Sequence, residues 1–286
     1  MNANLARKLD TASRAIAHRT RGHAQGPITR LMSPGDVGEL VKPFVFLDFF
    51  EMGPVKMPSM PAHPHSGIAT HTTLLRGGIE YADSTGASGK LEAGSVEWMR
   101  AGGGVWHWGK PLEGQPTRGY QLWLALPADL ENTPPESRYV DASAVESDGN
   151  VRLLLGSYGS LRSAVDYPLP LTYLHVRLAD SEHFRYQPDP QHDTLWLAVH
   201  EGKLHVADAT LEGEMAVFEA GNGAIDVRAE GATEFVLGSA AKHPHDLVCG
   251  YYSVHTSEAA LVRGEAGIRA VAANMKGQLR QVNRGA

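Results

Sequence analysis

The sequence predicts an all-β protein built from two β-rich halves and closed by a single helix. Three observations predict it. Glycine (31) and proline (17) are abundant in a chain of 286 residues. Short apolar runs are separated by glycine turns, and only one segment carries a sustained helical pattern. Strands this short and closely spaced fit a sandwich or barrel rather than βαβ units.

In chain order, Met1 to Gly26 holds Arg7, Lys8, Arg14, Arg19 and Arg21 and lacks the apolar stretch of a secretion signal. It reads as an extended arm packed on the body. Leu40 to Phe50 reads as a buried strand broken at Pro43. Gly53 to Pro64, with four prolines, reads as a loop. Ile68 to Arg76, Ile79 to Ala82, Leu91, Val96 to Met99, Val105–Trp106 and Tyr120 to Leu126 form a first strand series. Pro127 to Ser147 is a linker, which sets the expected domains at 1–133 and 148–286. The second series is Val151–Leu155, Leu171–Leu178, Thr194–Val199, Leu204–Val206, Glu214–Phe218, Ala224–Val227 and Glu234–Leu237. The helix runs from Ser257 to about Asn274, with Thr256 or Ser257 as cap, and carries two unfavourable glycines, Gly264 and Gly267.

Composition narrows function. Lys+Arg is 26 and Asp+Glu is 32, a net charge of −6, which lacks the basic footprint of a nucleic-acid binder. The single cysteine, Cys249, excludes an internal disulfide and a cysteine-rich zinc module, and fits a cytoplasmic chain. It reads as a small buried hydrophobe. No apolar run approaches the ~18 residues of a membrane span.

The sharpest local signal is His63-Pro64-His65. Residues i and i+2 of a strand share a face, so the two imidazoles converge, and Pro64 suits a sheet edge. Two histidines need a third ligand, and His107, after Gly102-Gly103-Gly104, supplies one if an antiparallel meander folds it back. Trp106 and Trp108 flank His107 and read as packing residues. Gln121 is placed in the pocket, and Glu97 on solvent or behind the ligands. His243-Pro244-His245, with His255 nearby, reads as a surface turn.

The segments Phe44 to Asp48, His63 to Gly67, Leu74 to Gly78, Asp83 to Gly86, Gly94 to Gly102, His107 and Gly119 to Trp123 resemble the pirin family in order and spacing. The second half resembles it chiefly through Cys249-Gly250-Tyr251. The resemblance implies two cupin-type jelly-roll barrels packed face to face, with one divalent metal ion in the first. That ion is expected to be Fe(II), with Zn(II), Ni(II) or Mn(II) as alternatives, held by His63, His65 and His107. It implies either a dioxygenase acting on a flavonol such as quercetin, with a small-molecule substrate and dioxygen as partners, or a non-enzymatic regulator that binds a partner protein.

Two family glutamates are absent: the ligand two residues after the last histidine maps onto Gly109, and a second pocket acid maps onto Ala69. Loss of a ligating carboxylate leaves the centre one unit more positive and favours an anionic ligand. It also removes the obvious general base. His71 is the remaining candidate for the lost ligand. It stands roughly 20 Å from His65 along a straight strand at ~3.3 Å per residue, so it qualifies only if the chain bends at Gly67.

Overall fold

The computed structural model describes residues 14–54 and 60–275. Arg7 and Lys8 lie outside the described residues. The chain is mostly β, with one long helix, Glu258–Asn274. The first half forms a seven-stranded and a four-stranded sheet, the second a ten-stranded sheet, and a small hairpin, Val248–Gly250 with Ser253–His255, follows.

The period-two rule for strands explains how the halves meet. On Thr117–Ala125, Tyr120, Leu122 and Leu124 join a core that also contains Leu154, Tyr173, Trp196 and Val236 of the second half. The alternate residues Trp123 and Ala125 face the other way, into a core with Val45, Phe46, Ile68 and Met99. A third core, including Leu174, Leu195, Leu197 and Phe235, is built from buried residues of the second half, with Ile16 packed against it.

The two ends of the chain cross over. Strand Ile16–Thr20, from the segment expected to belong with 1–133, pairs antiparallel with Met215–Phe218 in the second half. Its arginines are engaged rather than free: Arg19 and Arg21 converge on Glu214 at 2.7 and 2.5 Å, and Arg14 is buried against backbone carbonyls of Glu219 and Asp193. The C-terminal helix returns to the first half, where Trp106 Nε1 donates to the Ile268 carbonyl at 3.0 Å. Ser257 caps the helix through Ala260 N at 3.3 Å. Its glycines have a packing cause: a Cβ on Gly267 would lie 1.8 Å from the Gly103 oxygen, and one on Gly264 2.4 Å from His255 Nε2.

Several sequence expectations are corrected. The proline-rich 53–64 stretch is not all loop, since Met60–His65 is an edge strand paired only with Val105–Pro111. The second-half strands merge into the longer Thr194–Val206 and Ile225–Ala240. Cys249 is exposed, not buried. His243 is not at the surface: it is buried with Nε2 donating to the Leu126 carbonyl at 3.2 Å, while His245 is exposed. His255 is also buried, with Nε2 3.0 Å from Ser66 Oγ and Nδ1 3.2 Å from Glu131.

Candidate metal centre

His63 and His107 are direct cross-strand partners, and His65 pairs opposite Val105, two residues from His107. One face of this two-strand ribbon therefore presents all three rings. The Nε2 atoms converge: His107 to His63 is 2.9 Å and His107 to His65 is 3.1 Å.

The outer nitrogens fix the tautomers. His63 Nδ1 lies 3.0 Å from the Pro61 carbonyl and His65 Nδ1 3.2 Å from the Tyr252 carbonyl. A carbonyl only accepts, so both Nδ1 atoms carry the proton and both Nε2 atoms are bare. His107 Nδ1 faces Glu97 Oε1 at 3.6 Å, which favours the same tautomer. With His107 neutral in that tautomer, three lone pairs converge, an arrangement that a cation between them satisfies. Burial, reinforced by the neighbouring His107, pushes His63 down to about 3, and burial among the other two rings holds His65 well below its ordinary value. Both rings are therefore neutral and ready to ligate near neutral pH. Bonds of about 2.1 Å place adjacent donors about 3.0 Å apart on an octahedron and about 3.4 Å apart on a tetrahedron. The two spacings about His107, 2.9 and 3.1 Å, match octahedral edges. The residues thus fit a divalent ion by donor type, tautomer and spacing.

No acid from the sequence reading joins these three. Gly109 pairs with Tyr81 on the cavity side and has no side chain to offer. Ala69 is buried in the core between the halves, so position 69 faces away from the histidines. His71 shares that opposite face: it is fully buried, with Nε2 donating to the Leu154 carbonyl at 3.1 Å. It is therefore not a pocket residue, because its place in the strand has the wrong parity.

Glu97 supplies the carboxylate, from behind. It pairs with Thr72, which pairs with Gln121, then Asp48, then Arg30, so five adjacent strands place one polar row along the cavity wall. Burial opposes ionisation of Glu97, but its attraction to His107 and the Thr72 hydroxyl, which donates at 2.5 Å, outweighs that and holds its carboxyl below the usual range. Gln121 lines the cavity as expected. One end of its amide touches Thr72 Oγ1 at 2.9 Å and its Nε2 has no partner among the described residues. Arg30 pairs with Asp48 and sits 4.0 Å over the Phe46 ring. Burial raises the Asp48 carboxyl above its ordinary value, against the pull of Arg30.

The cavity has a volume of about 410 Å³, within the range of small-molecule sites. Phe46 and Trp123, stacked at 3.9 Å, form much of its apolar wall. Trp108 also lines it, whereas Trp106 packs on the helix. Tyr252 reaches in from the 248–255 hairpin, its ring 5.5 Å from His63. Sequence reasoning missed it. The only signal was the family-like Cys249-Gly250-Tyr251 just before it, which gives no hint of a return to the first half.

A β-sheet frame that turns three imidazoles into a largely apolar cavity defines an all-β protein with a candidate mononuclear metal centre. The particular family follows from comparison. Residues 26–124 match the family model described as Pirin. A pirin-like protein of Caulobacter vibrioides is 33% identical over 202 residues, covering 67% of this chain and 72% of that protein. The chain belongs to the pirin family. The crystal structure of quercetin 2,3-dioxygenase from Acinetobacter baumannii has the same fold, with a TM-score of 0.77 over 90% of this chain and 95% of that one at 22% identity. The bacterial pirin YhhW of Escherichia coli, solved in complex with nickel(II), has a TM-score of 0.62 over 80% of this chain and 98% of that one at 18% identity. Among the described residues no helix is long and apolar enough to cross a membrane.

Proposed function

We propose that this pirin is a mononuclear metal-dependent oxidoreductase of the quercetin 2,3-dioxygenase kind, acting on a flavonol or another small enolisable substrate. His63, His65 and His107 hold the ion, for which Fe(II) is the first candidate and Zn(II), Ni(II) and Mn(II) the alternatives. The observation that carries the reading is the convergence of three imidazole Nε2 atoms at a largely apolar cavity of about 410 Å³. We also read the two sheet systems as two cupin barrels meeting at the shared core of Leu122, Leu154 and Trp196.

The ion would supply Lewis acidity and a binding position for an anionic ligand. The chain's own residues do the rest. Pro61 and Tyr252 carbonyls and Glu97 hold the rings in register. Phe46 and Trp123 give the cavity an apolar side suited to a hydrophobic substrate, and Gln121 offers a polar group to a substrate oxygen. With three neutral imidazoles and no acid ligand, the centre keeps its full positive charge and prefers an enolate to its neutral enol.

Oxygen uptake by protein loaded with Fe(II), Ni(II) or Mn(II), across a panel of flavonols and enols, tests this. The expected result is metal-dependent uptake abolished in His65→Ala. Stoichiometric metal with no uptake on any member would overturn the enzymatic reading. The second reading, a metal-dependent regulator, is favoured by the missing acid at position 109. It predicts a protein partner captured by the metal-loaded chain and lost in the same variant.

A further inference from the structure

A second cluster of potential ligands lies in the other half of the molecule. His175, His200 and Glu234 each offer one donor atom, all within 4.8 Å of one another. They come from the three adjacent strands Leu171–Leu178, Thr194–Val206 and Ile225–Ala240. His175 pairs opposite Val236, two residues from Glu234, so those two share a face. His200 reaches that face through an irregularity. Val199 pairs with Phe235 and Glu201 with Glu234, so His200 is the extra residue of a bulge. Bulges of this kind re-aim a side chain.

We propose that His175 Nε2, His200 Nε2 and Glu234 Oε2 form a second divalent-cation site, of the zinc type. The donor spacing supports it: His175 Nε2 to Glu234 Oε2 is 3.2 Å and His200 Nε2 to the same oxygen is 3.5 Å. These lengths bracket the tetrahedral edge of about 3.4 Å for bonds of about 2.1 Å. An independent observation points the same way. The His200 side chain is 1% exposed, yet among the described residues its Nε2, aimed into the cluster, meets only the Glu234 carboxylate, at the 3.5 Å limit of a hydrogen bond. A buried ring nitrogen with so long a contact to its nearest acceptor is poorly satisfied until a ligand completes it.

The surroundings supply outer support. Tyr120 Oη lies 3.1 Å from His200 Nδ1, and Arg177 Nε holds the other Glu234 oxygen at 3.3 Å. Two imidazoles and one carboxylate with a fourth position open are a common zinc donor set. Glu234, with its side chain 22% exposed, marks the open side. Phe49 and Tyr120 of the first half pack against His200, so the ion would sit where the halves meet.

The test separates the two centres, since this site does not depend on the first. Chelator-stripped wild type, His63→Ala/His107→Ala and His63→Ala/His107→Ala/Glu234→Gln are dialysed against zinc, and retained metal is measured by elemental analysis. Two, one and less than one-tenth equivalents are expected in that order. Cobalt(II) replaces zinc as a spectroscopic probe in His63→Ala/His107→Ala, where the visible absorption of a tetrahedral centre is expected. Far-ultraviolet dichroism checks folding. A folded double variant that retains no zinc and gives no cobalt absorption overturns the site and leaves a metal-free imidazole–carboxylate relay. Zinc retained equally with Glu234→Gln overturns the ligand assignment.

Discussion

Each candidate ligand near the cavity is held by an acceptor on its outer nitrogen, and that pattern makes the rings donors rather than packing residues. Glu97 is the only carboxylate among these acceptors. Glu97→Gln keeps a hydrogen-bond acceptor behind His107 but removes the charge, and outer partners of this kind are worth about 10–100-fold in metal affinity. We expect roughly tenfold weaker retention in competition with a chelator, with the fold intact. Gly109 tests the complementary point. It lies two residues after His107 and opposite the cavity-lining Tyr81, so Gly109→Glu aims a carboxylate into the cavity. Tighter metal retention, by at least about tenfold on the same scale, is expected in the same assay. Unchanged retention would mean that position 109 does not address the ion.

At the scale of elements, the edge strand, the cross-strand ribbon and the returning helix explain what was legible. The His-Pro-His pair and His107 could be read because strand parity is local and Pro64 marks an edge. Glu97 was legible only as solvated or behind the ligands, because the choice depends on the register of Val96–Arg100 against Ile68–Arg76, and Tyr252 was not legible, because it depends on a hairpin from the far half. His71 and Ala69 were misplaced by one face. Nothing in the sequence before Ile68 reveals that odd positions of this strand point to the core between the halves. The cluster of His175, His200 and Glu234 was invisible because a bulge, which breaks parity, places its central member. The helix glycines give a prediction with an informative sign. In an isolated helix Gly267→Ala would stabilise by about 1 kcal/mol. Here the new Cβ would lie 1.8 Å from the Gly103 oxygen, and overpacking of this kind costs about 1–3 kcal/mol. Urea denaturation is expected to show net destabilisation. A stabilised variant would mean that the helix does not dock as described.

At the scale of the whole molecule, the halves are tied by buried groups, and one of them makes stability depend on pH. His71 bridges to the Leu154 carbonyl, and burial, only partly offset by that hydrogen bond, pushes it down to about 4. In the unfolded chain it titrates near its ordinary value of 6.5. Between these values the unfolded state binds the extra proton, so stability falls as pH drops from about 6.5 toward 4, by up to about 3 kcal/mol from this residue. The urea midpoint should fall between pH 7 and pH 4.5, and fall less in His71→Asn. Equal slopes would remove His71 from the account.

The central claim is that His63, His65 and His107 hold one divalent ion without an acid ligand. Elemental analysis after dialysis, in a Glu234→Gln background that silences the second cluster, addresses it most directly. The account predicts one equivalent of metal, falling below one-tenth when His107→Ala is added to a chain that still folds. Metal retained undiminished in that variant would contradict it.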